Sequence, residues 1–101
     1  MNNQNLKKNT KIGKLLIFEG LDGSGKSTQI SLLKDYLKKL GHEVVTTREP
    51  GGTNIAENLR DIMLYNDMDG ITETLIAFAA RSDHVKEFII PQLLLGKWVL
   101  C

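Results

Sequence analysis

A chain of 101 residues with 42% hydrophobic content fits one domain of ordinary globular composition. Its 13 Lys+Arg against 12 Asp+Glu give a formal net charge of +1, which speaks against a nucleic-acid coating or a membrane-surface role. The single cysteine, Cys101, excludes a disulfide framework and a cysteine-rich zinc site, and no apolar run reaches the ~20 residues of a membrane span. Composition thus predicts a soluble, cytoplasmic protein with no nucleic-acid or membrane partner.

Residues 1–13 read as a disordered tail, rich in Asn, Gln and Lys, and residues 14–101 as the folded part. Lys7, Lys8, Lys11 and Lys14 concentrate positive charge at this end, so the remainder is net acidic. Leu15-Leu16-Ile17-Phe18 is short, apolar on both faces and followed at once by glycine, the pattern of a buried parallel strand and too short for a signal-peptide core. From Ser27 to Leu40 the period becomes helical, with Ile30, Leu33, Leu37 and Leu40 on one stripe and Gly41 at the left-handed end position. Glu43 to Thr47 reads as a second strand, and Arg48 to Thr53 as a loop rich in Pro and Gly.

Asn54 to Tyr65 carries Ile55, Leu59, Ile62 and Met63 at helical spacing, and Asn66 to Gly70 interrupts it. A second long helical stretch runs from Ile71 to about Ile90, bent or restarted at Pro91. Gly96 closes it, and Trp98-Val99-Leu100 opens a third strand. Strands alternating with crossover helices predict an α/β fold with a parallel sheet.

Gly20-Leu21-Asp22-Gly23-Ser24-Gly25-Lys26-Ser27 fits the G-x-x-x-x-G-K-[ST] phosphate-binding loop in full. Glycines let successive backbone N–H groups turn inward around a polyphosphate, and the helix that begins here adds its positive end. Lys26 is positioned to bridge the β- and γ-phosphates of ATP, and the Ser27 hydroxyl to ligate Mg²⁺. With Thr28, these residues form the expected ATP site. The competing reading, a chance Gly-rich turn, fits poorly with a strand before the motif and a helix after it.

Three kinds of protein carry such a loop. A nucleotide-switch GTPase requires D-x-x-G after an apolar strand, whereas Asp67-Met68-Asp69-Gly70 follows Leu64-Tyr65-Asn66 and reads as a polar turn between helices. Another P-loop small-molecule kinase, such as an adenylylsulfate kinase, and a nucleoside monophosphate kinase both remain.

Three blocks carry a resemblance: Phe18 to Gln29, then Thr47-Arg48-Glu49-Pro50-Gly51-Gly52-Thr53, then Ala80-Arg81 with His84-Val85. Their order and spacing resemble thymidylate kinase, over about residues 14 to 101. The resemblance implies MgATP-dependent phosphorylation of dTMP to dTDP, in dTTP synthesis. It also implies the P-loop nucleoside monophosphate kinase fold, with strand order 2-3-1-4-5, and a homodimer packed through the helices of Asn54 to Leu95. Lys26 and Arg48 are then the catalytic residues, Arg48 gripping the acceptor phosphate. Taken alone, Arg48 reads as a surface arginine beside a turn.

The dTMP-binding residues implied are Asp22, Arg48, Glu49, Pro50, Phe78 and Arg81. Asp22, an acid inside a phosphate loop, contacts the sugar 3′-hydroxyl in that family, and Arg81 the thymine edge. Gly23 stands where eukaryotic relatives carry arginine, which resembles the bacterial type that supplies arginines from a later lid. Glu49 helps order water or Mg²⁺, or braces the loop, and a cis bond before Pro50 is conceivable. The family's base-stacking Phe lies four residues before Arg81, where this chain has Ala77. Phe78 is one step on, ~100° around the helix. Either a local distortion brings Phe78 to the base, or stacking is weak and thymine selection less strict; the second is the expectation. His84 as a general base is disfavoured, and a polar helix position is expected.

The matching stretch is roughly the family's N-terminal half, with only the first three strands. Leu15 to Phe18 is then expected to be a bare edge strand, and the isolated chain poorly soluble with little kinase activity. A non-catalytic nucleotide-binding fragment is the alternative to the enzyme.

Overall fold

The computed structural model describes residues 12–19 and 25–101. The expected tail up to Lys11, and Gly20, Leu21, Asp22, Gly23 and Ser24 of the phosphate loop, lie outside the described residues.

The elements run β1 (Leu15–Leu16), α1 (Lys26–Lys39), β2 (Val44–Thr46), α2 (Asn54–Tyr65), α3 (Gly70–His84), a π-helical turn (Val85–Ile89), α4 (Ile90–Leu94) and β3 (Trp98–Leu100). The three strands form one parallel sheet in the order β1-β3-β2. That is the 2-3-1 part of the expected order, and it places β1 at an edge, with Leu15 and Ile17 both exposed. Helical crossovers between parallel strands confirm the α/β class.

The described chain divides into two compact units, Thr47–Pro91 and the residues flanking it in sequence. In the sheet unit, β3 sits between its neighbours and its Val99 and Leu100 are fully buried. Its amides alternate sides: Trp98 N–H donates to Glu43 O at 2.8 Å, Val99 N–H to Lys14 O at 2.8 Å and Cys101 N–H to Leu16 O at 2.9 Å. Leu37, Val44 and Leu100 form the core, with Ile30, Leu33, Leu16, Phe18 and Trp98 packed against it. The predicted α1 stripe therefore faces the sheet except at its end. Leu40 caps the helix and is exposed, because the chain turns away at Gly41, where φ is 92°. Each buried leucine is worth about 2–3 kcal/mol of transfer free energy.

Gly13 makes the tightest backbone approach of this unit. A Cβ built on it would lie 1.7 Å from the carbonyl oxygen of Lys97. Its N–H meanwhile donates to Leu93 O at 2.9 Å, so only glycine lets the entering chain lie against the turn before β3.

In the second unit, α2 and α3 pack on each other through small residues, with Ala56 and Ala80 both fully buried. The larger residues of the predicted α2 stripe behave differently: Ile55 and Ile62 are exposed, while Leu59 and Met63 are half-buried. Asp69 accepts a hydrogen bond from Thr72 N–H at 2.7 Å and is the N-cap of α3, so Asp67 to Gly70 is the polar turn read from sequence. The helical stretch restarts where Pro91 required: Val85–Ile89 widens into a π turn and α4 begins at Ile90, leaving the ring in a first turn that needs no amide at that place.

Candidate functional site

On the donor side, Gly25 is left-handed at φ 83° and caps α1, so the helix begins at Lys26. The first-turn amides of such a helix have no internal partner, and Ser27 and Thr28 are exposed there, with Lys26 half-buried. Ser27 offers a hard oxygen, the donor type Mg²⁺ selects, while phosphate and water oxygens complete such shells. These residues fit MgATP by chemistry. The rest of the predicted loop lies outside the described residues.

The loop Thr47–Thr53 is held by side chains at almost every position. Its Glu49–Pro50 peptide is cis, as the sequence left open. At its end Thr53 has extended backbone, accepts from Ala56 N–H at 3.0 Å as the N-cap of α2, and donates to Asp83 Oδ2 at 2.5 Å. Arg60 Nη1 donates to the Pro50 carbonyl at 3.1 Å.

Two arginines flank the loop, each paired with a carboxylate. Arg48 uses Nη2 and Nε to grip Glu57, the Nε–H reaching Oε2 at 3.3 Å. The Gly52 N–H donates to the same Oε2 at 3.0 Å. The Arg48 hydrogen bond, and after it the Gly52 amide, hold the Glu57 carboxyl below the usual carboxylate range, and the same pairing pushes the guanidinium of Arg48 up. Arg48 stays largely exposed, so its remaining N–H groups are open to a phosphate. Arg81 Nε donates to Glu49 Oε1 at 2.9 Å.

His84, expected as a polar helix position, is the last residue of α3. It is fully buried, with Nδ1 2.9 Å from Glu49 Oε2 and Nε2 2.6 Å from Thr47 Oγ1. The Phe88 ring stacks on it, with centroids 5.8 Å apart. Gly52 gives it room: a Cβ there would sit 2.3 Å from the ring, at φ 93°. Of the two duties considered for Glu49, the structure shows the brace.

A cavity of about 600 Å³ lies against this loop, lined among others by Glu49, Pro50, Ala77, Phe78 and Arg81. Four predicted acceptor-site residues are thus brought together, and Arg48 stands on the same loop. The helix needs no distortion to include Phe78, since α3 is regular from Gly70 to His84 and Ala77 and Phe78 both line the cavity. Glu57, Asp83 and the burial of His84 were missed from sequence. Arg48 and Glu57 are nine positions apart in different elements, so no local spacing pairs them.

Among the described residues no helix is long and apolar enough to cross a membrane, and no group of three or more His, Cys, Asp or Glu is arranged around a metal position.

Comparison with known proteins agrees with the loop and its strand order. The thymidylate kinase family model matches residues 18–101. A thymidylate kinase of Orientia tsutsugamushi (strain Ikeda) is 54% identical over 93 residues, covering 92% of this chain and 43% of the relative. One from Caldicellulosiruptor saccharolyticus is 52% identical over 91 residues, covering 88% of this chain and 44% of the relative. The crystal structure of thymidylate kinase from Ehrlichia chaffeensis superposes with a TM-score of 0.79 at 40% identity, over 88% of this chain and 53% of that one. The chain therefore spans less than half the length of these curated relatives. Its parallel sheet and crossover helices are part of a P-loop kinase fold, and the chain belongs to the thymidylate kinase family.

Proposed function

We propose that this chain supplies the ATP loop and the acceptor-nucleotide pocket of an ATP:dTMP phosphotransferase, making dTDP for dTTP synthesis in the cytoplasm. The observation that carries this reading is the cavity that joins Glu49, Pro50, Phe78 and Arg81 beside the Arg48 loop. A nucleoside monophosphate needs one group for each of its parts, and the pocket offers them. Arg48 grips the phosphate, the Phe78 face meets the base and Arg81 bonds to its polar edge. Asp22 is assigned to the sugar hydroxyl, from its place in the family motif.

Gly20 to Thr28 hold ATP, with Lys26 on its phosphates and Ser27 on Mg²⁺, which when bound offsets the charge of the transferring group. Phosphoryl transfer needs little covalent help, so positioning by Lys26 and Arg48 is the main contribution of this chain. The tail over residues 1–13 is assigned no part in either site.

A homodimer packed through α2 and α3 is part of the same proposal. Ile55, Leu64, Tyr65, Ile71 and Leu75 are exposed on these helices, a larger apolar display than a lone domain usually leaves open. Sedimentation analysis giving only monomer at high concentration would remove it.

Calorimetric titration of the chain with dTMP, dUMP, AMP and adenylylsulfate tests the substrate. We expect dTMP to bind most tightly; tighter binding of AMP or adenylylsulfate would overturn the assignment. Chelating Mg²⁺ is expected to weaken ATP binding and leave dTMP binding unchanged. Incubation with MgATP and dTMP, followed for ADP and dTDP, then separates a catalytic chain from one that only binds.

A further inference from the structure

We infer that His84 is a positioning residue for the acceptor nucleotide, acting through Glu49 on Arg81; the inference rests on the dTMP reading above. The relay is visible in consecutive contacts. The Nδ1 of His84 lies 2.9 Å from one oxygen of Glu49, and the other oxygen accepts from Arg81 Nε at 2.9 Å. A carboxylate can only accept, so Nδ1 carries the hydrogen whether the ring is neutral or charged. In the neutral ring Nε2 then accepts from the Thr47 hydroxyl, at 2.6 Å.

The chain of contacts runs from rigid to mobile. His84 is fully buried, stacked on Phe88 and closed over by Gly52, so its ring has one place to be. Glu49 is partly exposed, and Arg81 is 63% exposed. An exposed arginine otherwise samples many rotamers, and a ligand that must order it bears that entropy cost. Fixing Nε through Glu49 removes part of that cost before the nucleotide arrives and leaves the two Nη groups to meet it. His84 itself touches no substrate in this account.

A purely structural role would also make His84 intolerant of change, so the test separates the two. Asn places an amide nitrogen where Nδ1 stands, whereas Gln reaches the Thr47 side and loses Glu49. We expect His84→Gln to weaken dTMP binding about tenfold and His84→Asn to stay within about threefold of wild type. In an Arg81→Ala background, His84→Gln should add less than about a twofold loss, because the relay has nothing left to hold. A full tenfold loss in that background would overturn the inference.

Two readouts need no nucleotide. The ¹⁵N spectrum of the wild-type histidines should show His84 protonated at Nδ1; a neutral ring protonated only at Nε2 would contradict the relay. Solvent exchange of the Arg81 Nε–H should speed up in His84→Gln and not in Thr47→Val, and equal rates in wild type and His84→Gln would contradict it. If wild type prefers another nucleoside monophosphate to dTMP, the substrate reading fails. The cycle is then run with that nucleotide, and the relay stands or falls separately.

Discussion

Across β1, β2 and β3 and the α1 residues packed on them, order comes from backbone ladder bonds and one cluster of Leu37, Val44 and Leu100. From Thr47 to Pro91 it comes from side chains. Thr53 ties to Asp83, Arg48 and Gly52 to Glu57, and His84 to both Thr47 and Glu49. The buried positions of the sheet, Val99 and Leu100, call for apolar residues of matching volume rather than particular atoms, because hydrophobic packing is non-directional. The loop requires particular atoms at particular distances, and a buried partner left unpaired there is costly. A loop of the composition Thr-Arg-Glu-Pro-Gly-Gly-Thr has few apolar side chains with which to hold itself, so polar bonds fix its shape.

The contrast can be broken by five substitutions and a pH series, taken from the largest expected effect. Leu100→Ala empties the fully buried centre of the sheet and is expected to cost about 2–5 kcal/mol, read as a lowered urea midpoint. Hydrogen exchange should then accelerate chiefly in β1, β2 and β3. Gly52→Ala forces a methyl group into the His84 ring at positive φ and is expected to cost about 2–4 kcal/mol, with exchange accelerating in the Thr47–Thr53 loop. If both variants loosen the same amides equally, the contrast between the two regions is wrong.

Phe78→Ala removes the aromatic wall of the cavity and should weaken dTMP binding by about 1–2 kcal/mol, measured calorimetrically, with the melting temperature nearly unchanged because the ring is exposed. In the opposite direction, Ala77→Phe should tighten dTMP binding if the cavity is the base site; no change would mean that neither residue meets the base. Thr53→Ala loses a helix cap and leaves Asp83 without its partner, for about 1–2 kcal/mol of stability in the same urea assay.

The smallest effect is one of pH. The Glu57 and Asp69 carboxyls are both depressed in the folded chain, Glu57 by Arg48 first and Asp69 by the Thr72 amide first. A depressed carboxyl contributes stability that is present above its ordinary value, about 4, and lost as pH falls through the folded value. Stability should therefore decline below about pH 4, and Glu57→Gln should flatten part of that decline in a urea midpoint series. An unchanged slope would mean that the Arg48 pair adds nothing measurable, as many exposed ion pairs do not.

Much of this was legible in the sequence, and the two regions differ in that as well. Periodicity located every strand and helix of the sheet region, since burial imposes a period on the residues that pack. It also located α2 over Asn54–Tyr65 but not its buried position, since Ala56 is buried and Ile55 exposed. The motif pointed to the Thr47–Thr53 loop and Arg81, and one cavity is lined by Glu49, Pro50, Phe78 and Arg81. What holds them was not legible. His84 meets Glu49 across 35 positions and Thr53 meets Asp83 across 30, and no local pattern encodes a polar pair at such separation. The polar position read for His84 says nothing of its burial, which is possible because both ring nitrogens find partners.

The central claim is that the Thr47–Thr53 loop and the Arg81 face of α3 form a pocket for a pyrimidine nucleoside monophosphate. Titrating the ¹⁵N-labelled chain with dTMP and mapping the shifted amides and arginine side chains tests it most directly. We expect saturable shifts at Arg48, Glu49, Gly51, Gly52, Phe78 and Arg81. Saturable shifts confined to other residues, or none at these six, would contradict it.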